Sequence, residues 1–334
     1  MDSTARRSHW IIAPALDLAC FTAGWAVLFF IPYLLPQYAD PIRTFALIFF
    51  TAHRYFTFLL VYLDRAEFNR RRGTYILTPV VTFSGVGLCY FFRVDEPEMF
   101  AFWYLFNYFH FVTQKYGILR IYSRKSGRDS RTLERWAVYA WGLAGLLYMF
   151  YYRAEEGTLM HYLGTLLDGL RPPPLVAQGT FLGAAVLTGV WLARTVERPV
   201  SVHLPRLLFF GSVLFMYGVC PVLSTEATAI ATSFSHAVEY IALVNLAVKN
   251  KARNRALDSA ILLRAVDRAV LNTFLFIAAV GAVLYGVKAA SATAFYVVVY
   301  GSSFAHFVFD GMIWKLRRPD VARGVGAVPV GGGN

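Results

Sequence analysis

Long apolar runs separated by short charged loops are the feature that most restricts how this chain folds. The runs are about 20 residues long, the length at which an α-helix crosses a bilayer. The chain is 57% hydrophobic and only 16% charged, which is more apolar surface than a soluble domain of 334 residues can bury. The sequence therefore predicts an all-α, polytopic transmembrane helical bundle. We place ten spans, at about 10–35, 43–64, 75–93, 99–122, 136–152, 175–194, 205–224, 229–249, 269–289 and 291–315.

Charge alternates from loop to loop along the chain. The basic stretches are 65–73, 123–135, 194–199, 249–258 and the tail from Lys315. The acidic or weakly charged loops between them are 95–99, 154–170 and 225–229. Because basic loops stay in the cytoplasm, both termini are predicted to be cytoplasmic. These loops account for the net charge of +12, and no nucleic-acid-binding module is visible, so nucleic acid is excluded as a partner.

The organisation of the chain is predicted to be simple. One transmembrane domain covers 1–320, and a disordered tail covers 321–334. Residues 159–170 and 256–270 have helical apolar spacing and are predicted to form helices on the outer and the cytoplasmic surface, respectively. The three cysteines lie in apolar runs without paired spacing, which indicates core residues and neither disulfides nor a thiolate metal site.

Four of the seven histidines lie inside predicted spans: His53, His110, His236 and His306. Their spans all run in the same direction, and the first clear cytoplasmic charge follows each histidine by 9 to 13 residues. At 1.5 Å per residue this is about 13–20 Å, roughly half of a hydrocarbon core about 30 Å thick. All four are therefore expected near the bilayer midplane. The other histidines, assigned to the tail or loops, are His9, His161 and His203.

Polar side chains follow three of these histidines by three or four residues: Gln114, Glu239, Tyr240 and Asp310. Helical spacing puts each of them on nearly the same helix face as its histidine. Such a residue can bind a metal itself or orient an imidazole by accepting its second N–H. Asp17 in span 1 and Arg54 beside His53 are expected to form a buried pair near the site.

Four histidines at one depth predict a transition-metal site in the bundle core, because ionisable groups are costly there. The absence of thiolate and HExxH motifs argues against iron–sulfur clusters, zinc fingers and the common zinc metalloproteases. Non-haem Fe(II) is the predicted cofactor, while another transition metal or haem stays open. Glu239 and Asp310 are expected to bind the metal or to support its ligands. Gln114 and Tyr240 are expected to orient rings or bound O₂.

The predicted function is a membrane oxidoreductase or oxygenase that acts on a hydrophobic isoprenoid or acyl substrate. Its partners are this substrate and membrane lipids, and no protein partner is indicated. The alternative is a proton- or cation-coupled transporter that uses the same histidines and carboxylates. A transporter predicts broken helices and two related halves. A purely structural polar network and a scaffold protein are the remaining interpretations.

Three segments carry a resemblance to known proteins: "FHFVTQKYGILRIYSRKSG", "HAVEYIALVNLAVKN" and "AHFVFDGMIWKLRRPD". With 51–71, they resemble an uncharacterised family of bacterial multi-pass membrane proteins over most of the chain. In layout the chain is also remotely similar to Brp/Blh carotenoid dioxygenases, whose membrane histidines hold iron and which cut β-carotene to retinal. That resemblance implies a dioxygenase with iron on His53, His110, His236 and His306. The histidine–glycine-rich first-helix motif of those enzymes is missing, so the substrate does not transfer.

Overall fold

The computed structural model describes residues 9–94, 96–127, 130–152, 173–197 and 200–327. Regular secondary structure within these ranges is helical, without strands, as the sequence predicted. The α-helices are α1 Pro14–Asp17, α2 Trp25–Leu34, α3 Ala39–Leu63, α4 Arg65–Arg70, α5 Arg72–Phe91, α6 Glu96–Lys125, α7 Arg131–Tyr152, α8 Pro174–Thr195, α9 Val200–Leu214, α10 Cys220–Leu223, α11 Thr225–Arg253, α12 Ala260–Asp267, α13 Ala269–Ala290, α14 Ala292–Ile313 and α15 Pro319–Gly324. Two π-helical segments, Leu18–Thr22 and Phe215–Val219, continue α1 and α9.

Seven helices in the described ranges are long and apolar enough to cross a membrane. They are α3, α5, α8, α9 together with its continuation to Leu223, α11, α13 and α14. An eighth span results if Pro14–Thr22 and Trp25–Leu34 are counted together, since this pair is bent by 47° at its break. The helices α6 and α7, two of the ten predicted spans, are long enough but are not among the seven. The count of ten and the cytoplasmic termini stay predictions.

The chain forms two compact units, each assembled from separated stretches. Unit 1 comprises 1–42, 104–235 and 326–334, and unit 2 comprises 43–103 and 236–325. Three helices, α3, α6 and α11, contribute residues to both units. The single transmembrane domain stays a prediction, and apolar spacing along the chain carries no information on which helices pack together.

A buried ionic cluster stabilises unit 1. Glu134, in the first turn of α7, accepts hydrogen bonds from Arg120 at 2.7 Å and from Arg206 at 2.5 Å. The hydroxyls of Ser123 and Ser130 donate to the same carboxylate at 2.6 and 2.9 Å. Breaking such a buried pair is strongly destabilising, since it leaves an uncompensated charge. The cluster therefore fixes α6, α7 and α9 relative to one another.

Glycine permits a close helix approach at another point of unit 1. Helix α7 packs along α8 and against the π-helical segment Phe215–Val219. A Cβ atom at Gly145 would overlap the backbone carbonyl oxygen of Tyr217. The absence of a side chain at this position is thus a requirement of the packing.

Unit 2 packs α3, α11 and α14 together, and α5 packs along α14. Phe56 of α3 and Val244 of α11 belong to one buried apolar cluster, and Val61 of α3 and Phe309 of α14 belong to another. Helix α14 begins at its N-cap Ser291, which accepts a hydrogen bond from the backbone of the first turn. These contacts set the rotation of each helix about its axis, and so determine which side chains face inward.

The C-terminal segment contains a helix where disorder was predicted from residue 321. Arg318 donates to Glu67 at 2.6 Å and to Asp320 at 2.7 Å, at the start of α15. The side chain of Asn250 donates to the carbonyl of Gly324 at 2.7 Å. Glycine-rich composition suggested a free tail, but these long-range contacts order the segment. The last residues, 328–334, lie outside the described residues.

Three further local predictions had different outcomes. The helix predicted within 256–270 is α12, which begins at its N-cap Ser259. The helix predicted at 159–170 lies outside the described residues. His203 was assigned to a loop but lies in α9 and is fully buried.

Candidate metal centre

Three histidines of unit 2 converge at one buried point. His53 on α3, His236 on α11 and His306 on α14 are each at most 1% exposed. Nε2 of His53 lies 3.0 Å from Nε2 of His236 and 3.3 Å from Nε2 of His306. The ring of His53 stands nearly perpendicular to the other two rings. Within unit 2, the structure thus brings together His53, His236 and His306 in a group that could hold a metal ion.

The separations between the nitrogens are those expected for ligands of one metal ion. Transition metals bind imidazole nitrogen at about 2.1 Å, which puts two such nitrogens about 3.0 Å apart at a right angle and about 3.4 Å apart at a tetrahedral angle. The observed separations of 3.0 and 3.3 Å lie within this interval.

The far side of the His53 ring determines which nitrogen is available. Nδ1 of His53 contacts the backbone carbonyl oxygen of Phe50. A carbonyl can only accept a hydrogen bond, so Nδ1 carries the proton and Nε2 of the neutral ring carries a lone pair. This lone pair faces the two other imidazoles. Two acceptor lone pairs at such a distance repel each other unless a proton or a cation lies between them.

One helical turn after each histidine, the same three helices carry Thr57, Tyr240 and Asp310. The i, i+4 spacing puts each of them on the face of its histidine. Thr57 Oγ1 lies 2.5 Å from the Tyr240 hydroxyl and 3.2 Å from Asp310 Oδ1. The Tyr240 hydroxyl donates to Asp310 Oδ1 at 2.9 Å and accepts from Trp314 Nε1 at 3.3 Å. The histidine layer therefore rests on a second, hydrogen-bonded layer.

Thr57 links the two layers, because its Oγ1 also lies 2.7 Å from Nδ1 of His306. Thr57 has one proton to donate, and the second layer offers it acceptors in Tyr240 and Asp310. Its lone pair then accepts the Nδ1–H of His306, which leaves Nε2 of His306 as the ligand atom. Contacts of this kind orient metal-binding imidazoles and raise their basicity.

A carboxylate is available beside the histidines. Oδ2 of Asp310 lies 3.5 Å from Nε2 of His306. Three imidazoles with one carboxylate suit zinc or non-haem iron; four such ligands complete tetrahedral zinc, whereas non-haem iron would keep coordination positions open. Asp310 can therefore act as a fourth ligand or stay in the layer below.

The remaining predicted site residues are distributed over both units. Glu239 precedes Tyr240 on α11 and is fully buried. His110 and Gln114 lie on the part of α6 that belongs to unit 1. Their participation in the metal centre stays a prediction.

Asp17 and Arg54 were predicted to pair, and the structure gives each of them other partners. In unit 1, the Asp17 carboxylate accepts from the backbone of Ile11 at 2.6 Å and from the Tyr122 hydroxyl at 2.8 Å. It thereby anchors the segment before α1 to α6. In unit 2, Arg54 Nη1 donates to the carbonyl of Val299 at 2.8 Å.

Two residues of the second layer were missed by sequence reasoning. Thr57 follows His53 by four residues, the same spacing that identified Asp310. Threonine in an apolar helix commonly bonds to its own backbone, so the spacing alone does not mark it as a site residue. Trp314 follows the last residue of α14, and nothing in the sequence indicates its contact with Tyr240.

No known family, no curated protein and no solved structure matches this chain. The resemblance to uncharacterised bacterial membrane proteins and to Brp/Blh enzymes therefore stays a prediction. The geometry of the site is the basis for the functional inference that follows.

Proposed function

We propose that this protein is a membrane-embedded metal oxidoreductase, in which His53, His236 and His306 hold non-haem Fe(II). The observation that carries the proposal is the approach of their Nε2 atoms to 3.0 and 3.3 Å. Asp310 lies beside them, and Thr57 and Tyr240 support the ring of His306 from below. The proposed location is the bacterial inner membrane, with ten spans and cytoplasmic termini.

The tautomers of two of these rings suit a metal at this point. Here the ring of His53 presents its lone pair to neighbouring imidazoles, and His306 is supported in the same tautomer by Thr57. These lone pairs would bind a cation at the point where the Nε2 atoms converge.

The spacing also favours a non-haem centre. Two axial ligands of a haem lie on opposite sides of the macrocycle, about 4 Å apart at ordinary metal–nitrogen lengths. Neither measured histidine pair is that far apart. Iron bound to a few imidazoles and a carboxylate reacts with O₂ when a coordination position is open. The buried location within apolar helices suits an isoprenoid or acyl substrate.

Metal content of the purified protein tests the proposal. We expect about one iron per chain in the wild-type protein and less than about a tenth of that in a His53→Ala, His306→Ala double variant. His9→Ala is the matched control, since His9 lies in unit 1 and contacts the carbonyl of Lys125. Its iron content should equal that of the wild type.

Sub-stoichiometric metal in the wild type, or equal metal in the double variant, would refute the metal centre. Oxygen uptake on addition of an unsaturated lipid tests the oxidation itself. Uptake should depend on iron and on His53. If the iron-loaded protein consumes no oxygen with any acyl or isoprenoid lipid, the metal site stands but the proposed oxidation is refuted.

A proton- or cation-coupled transporter is the second candidate, and one observation favours it. Transporter sites are commonly built around discontinuous helices, and the pair Pro14–Thr22 and Trp25–Leu34 is bent by 47° at its break. Uptake by reconstituted vesicles that collapses with the proton gradient and requires His53 would support this alternative against the oxidoreductase.

A further inference from the structure

Arg54 is a feature of unit 2 that the metal centre does not use. Its side chain is almost completely buried in α3, one residue after His53. Nη1 donates to the carbonyl of Val299 at 2.8 Å. The guanidinium lies over the rings of Phe50 at 4.9 Å and Trp103 at 5.6 Å. Among the described residues, no carboxylate forms an ion pair with it.

Such a cation is unusual within a membrane helix. Buried arginines in membrane proteins pair with acidic groups or with backbone carbonyls, or they mark the path of a substrate or ion. A backbone carbonyl and two aromatic faces compensate the charge only in part. Arginine has five N–H donors in a planar fork that matches the two oxygens of a carboxylate, and the hydrogen bond to Val299 uses one of them.

The arginine is close to the histidines. The ring of Phe50, over which the guanidinium lies, is 5.3 Å from the ring of His53 and 6.3 Å from the ring of His236. Along α14, Val299 precedes His306 by seven residues, on the order of 10 Å of helix axis. A head group held at Arg54 therefore positions the middle of an attached hydrocarbon chain near the three Nε2 atoms, with Phe50 as the apolar wall between them.

We infer that Arg54 binds the carboxylate of the substrate, and that the substrate is a long-chain carboxylic acid. Its chain passes Phe50 to reach His53, His236 and His306, an end point that rests on the proposed function. The binding of the carboxylate itself does not depend on the metal. One negative charge balances the single guanidinium, whereas a phosphate monoester with a charge of about −1.5 to −2 would leave an excess in an apolar environment.

Direct binding of radiolabelled oleate and radiolabelled methyl oleate to the immobilised, detergent-purified protein tests this assignment. We expect the wild type to bind oleate at least about tenfold more tightly than the uncharged ester. Arg54→Gln should remove that preference and leave both the ester affinity and the iron content unchanged. Arg54→Lys should retain part of the preference, because it keeps the charge but not the fork. Arg43→Gln removes an exposed arginine from the same helix and should behave as the wild type.

Equal binding of oleate and methyl oleate by the wild type would overturn the inference, even if every Arg54 variant failed to fold. An oleate preference that persists in Arg54→Gln would overturn it as well. Oleyl phosphate that binds more tightly than oleate through Arg54 would overturn the carboxylate assignment. Oleate binding that requires Arg54 in a protein without iron would refute the proposed function while supporting this site. Iron-loaded protein whose oleate binding does not depend on Arg54 would refute this site while supporting the proposed function.

Discussion

Replacing Thr57 by valine removes the hydroxyl that joins the histidine layer to the layer below it. Valine is β-branched like threonine and has nearly the same shape, so the substitution changes the hydrogen bonds and hardly changes the packing volume. The substitution removes the contacts of Oγ1 with Tyr240 at 2.5 Å, with His306 at 2.7 Å and with Asp310 at 3.2 Å. Because Thr57 is fully buried, water cannot replace the lost hydroxyl without disturbing the core.

The main effect of this substitution is expected at His306. The Tyr240 hydroxyl keeps its bonds to Asp310 and Trp314, whereas Nδ1 of His306 loses the acceptor that orients its ring. A buried polar group that loses its partner costs about 1–3 kcal/mol of unfolding free energy. Loss of a contact that orients a metal-binding histidine lowers metal affinity about 10–100-fold. Thr57→Val should therefore show both losses together.

Competition of the protein with a chelator of known affinity measures the metal effect, and thermal unfolding in detergent measures the stability. Thr57→Ser keeps the hydroxyl and should retain most of the metal affinity. Thr180→Val is the matched control, since the hydroxyl of Thr180 bonds to the carbonyl of Val176 in its own helix. A metal affinity of Thr57→Val within twofold of the wild type would refute the role assigned to Thr57.

Two further predictions concern regions outside the metal centre. Burial alone would raise the pKa of Glu67, but its hydrogen bonds and the charge of Arg318 outweigh burial and hold this pKa below its usual range. The hydrogen bond from Arg318 lowers the pKa of Asp320 to about 2. Both carboxylates therefore stabilise α15 fully above the unfolded-state values of about 4, and this stabilisation is lost as the pH falls through the lower folded-state values. The rate of hydrogen exchange in α15, corrected for intrinsic rates, should be constant from about pH 7 to 5 and higher below about pH 4. In Glu67→Gln the rate should be higher already at neutral pH. A constant rate down to about pH 2 would contradict the pairing. Gly145→Ala should lose about 1–3 kcal/mol of stability, because the new Cβ overlaps a facing carbonyl. Gly183→Ala, whose Cβ meets open space, should be neutral or gain up to about 1 kcal/mol. Equal melting temperatures of the two variants would contradict the close approach.

The helical class and the faces of individual helices could be predicted from the sequence. Apolar run length and helical spacing are local properties, and they identified α3, α11 and α14 together with the pairing of His306 and Asp310 on one face. The same spacing would have identified Thr57 after His53, had a threonine been weighed as a ring-orienting residue. The histidines were recognised because an ionisable side chain within an apolar run is costly and so requires an explanation.

Contacts between distant segments could not be predicted. Composition suggested a disordered tail from residue 321, but Arg318 and Asn250 bind this segment to the rest of unit 2. Charge suggested that Asp17 serves the site, yet its carboxylate binds backbone amides and Tyr122 in unit 1. A sequence shows that a charge is buried, but the partner that compensates it depends on which helices lie side by side.

By itself, the sequence determined that this chain consists of apolar helices and that His110, His236 and His306 each share a helix face with a polar residue one turn later. Helical periodicity is a local rule, so these relations hold wherever the helix lies. Only the tertiary structure decided that His53, His236 and His306 face one another at ligand distance and that Thr57 joins them to Tyr240 and Asp310. The rotation of a helix about its axis is set by the neighbours against which it packs, and sequence spacing does not contain it.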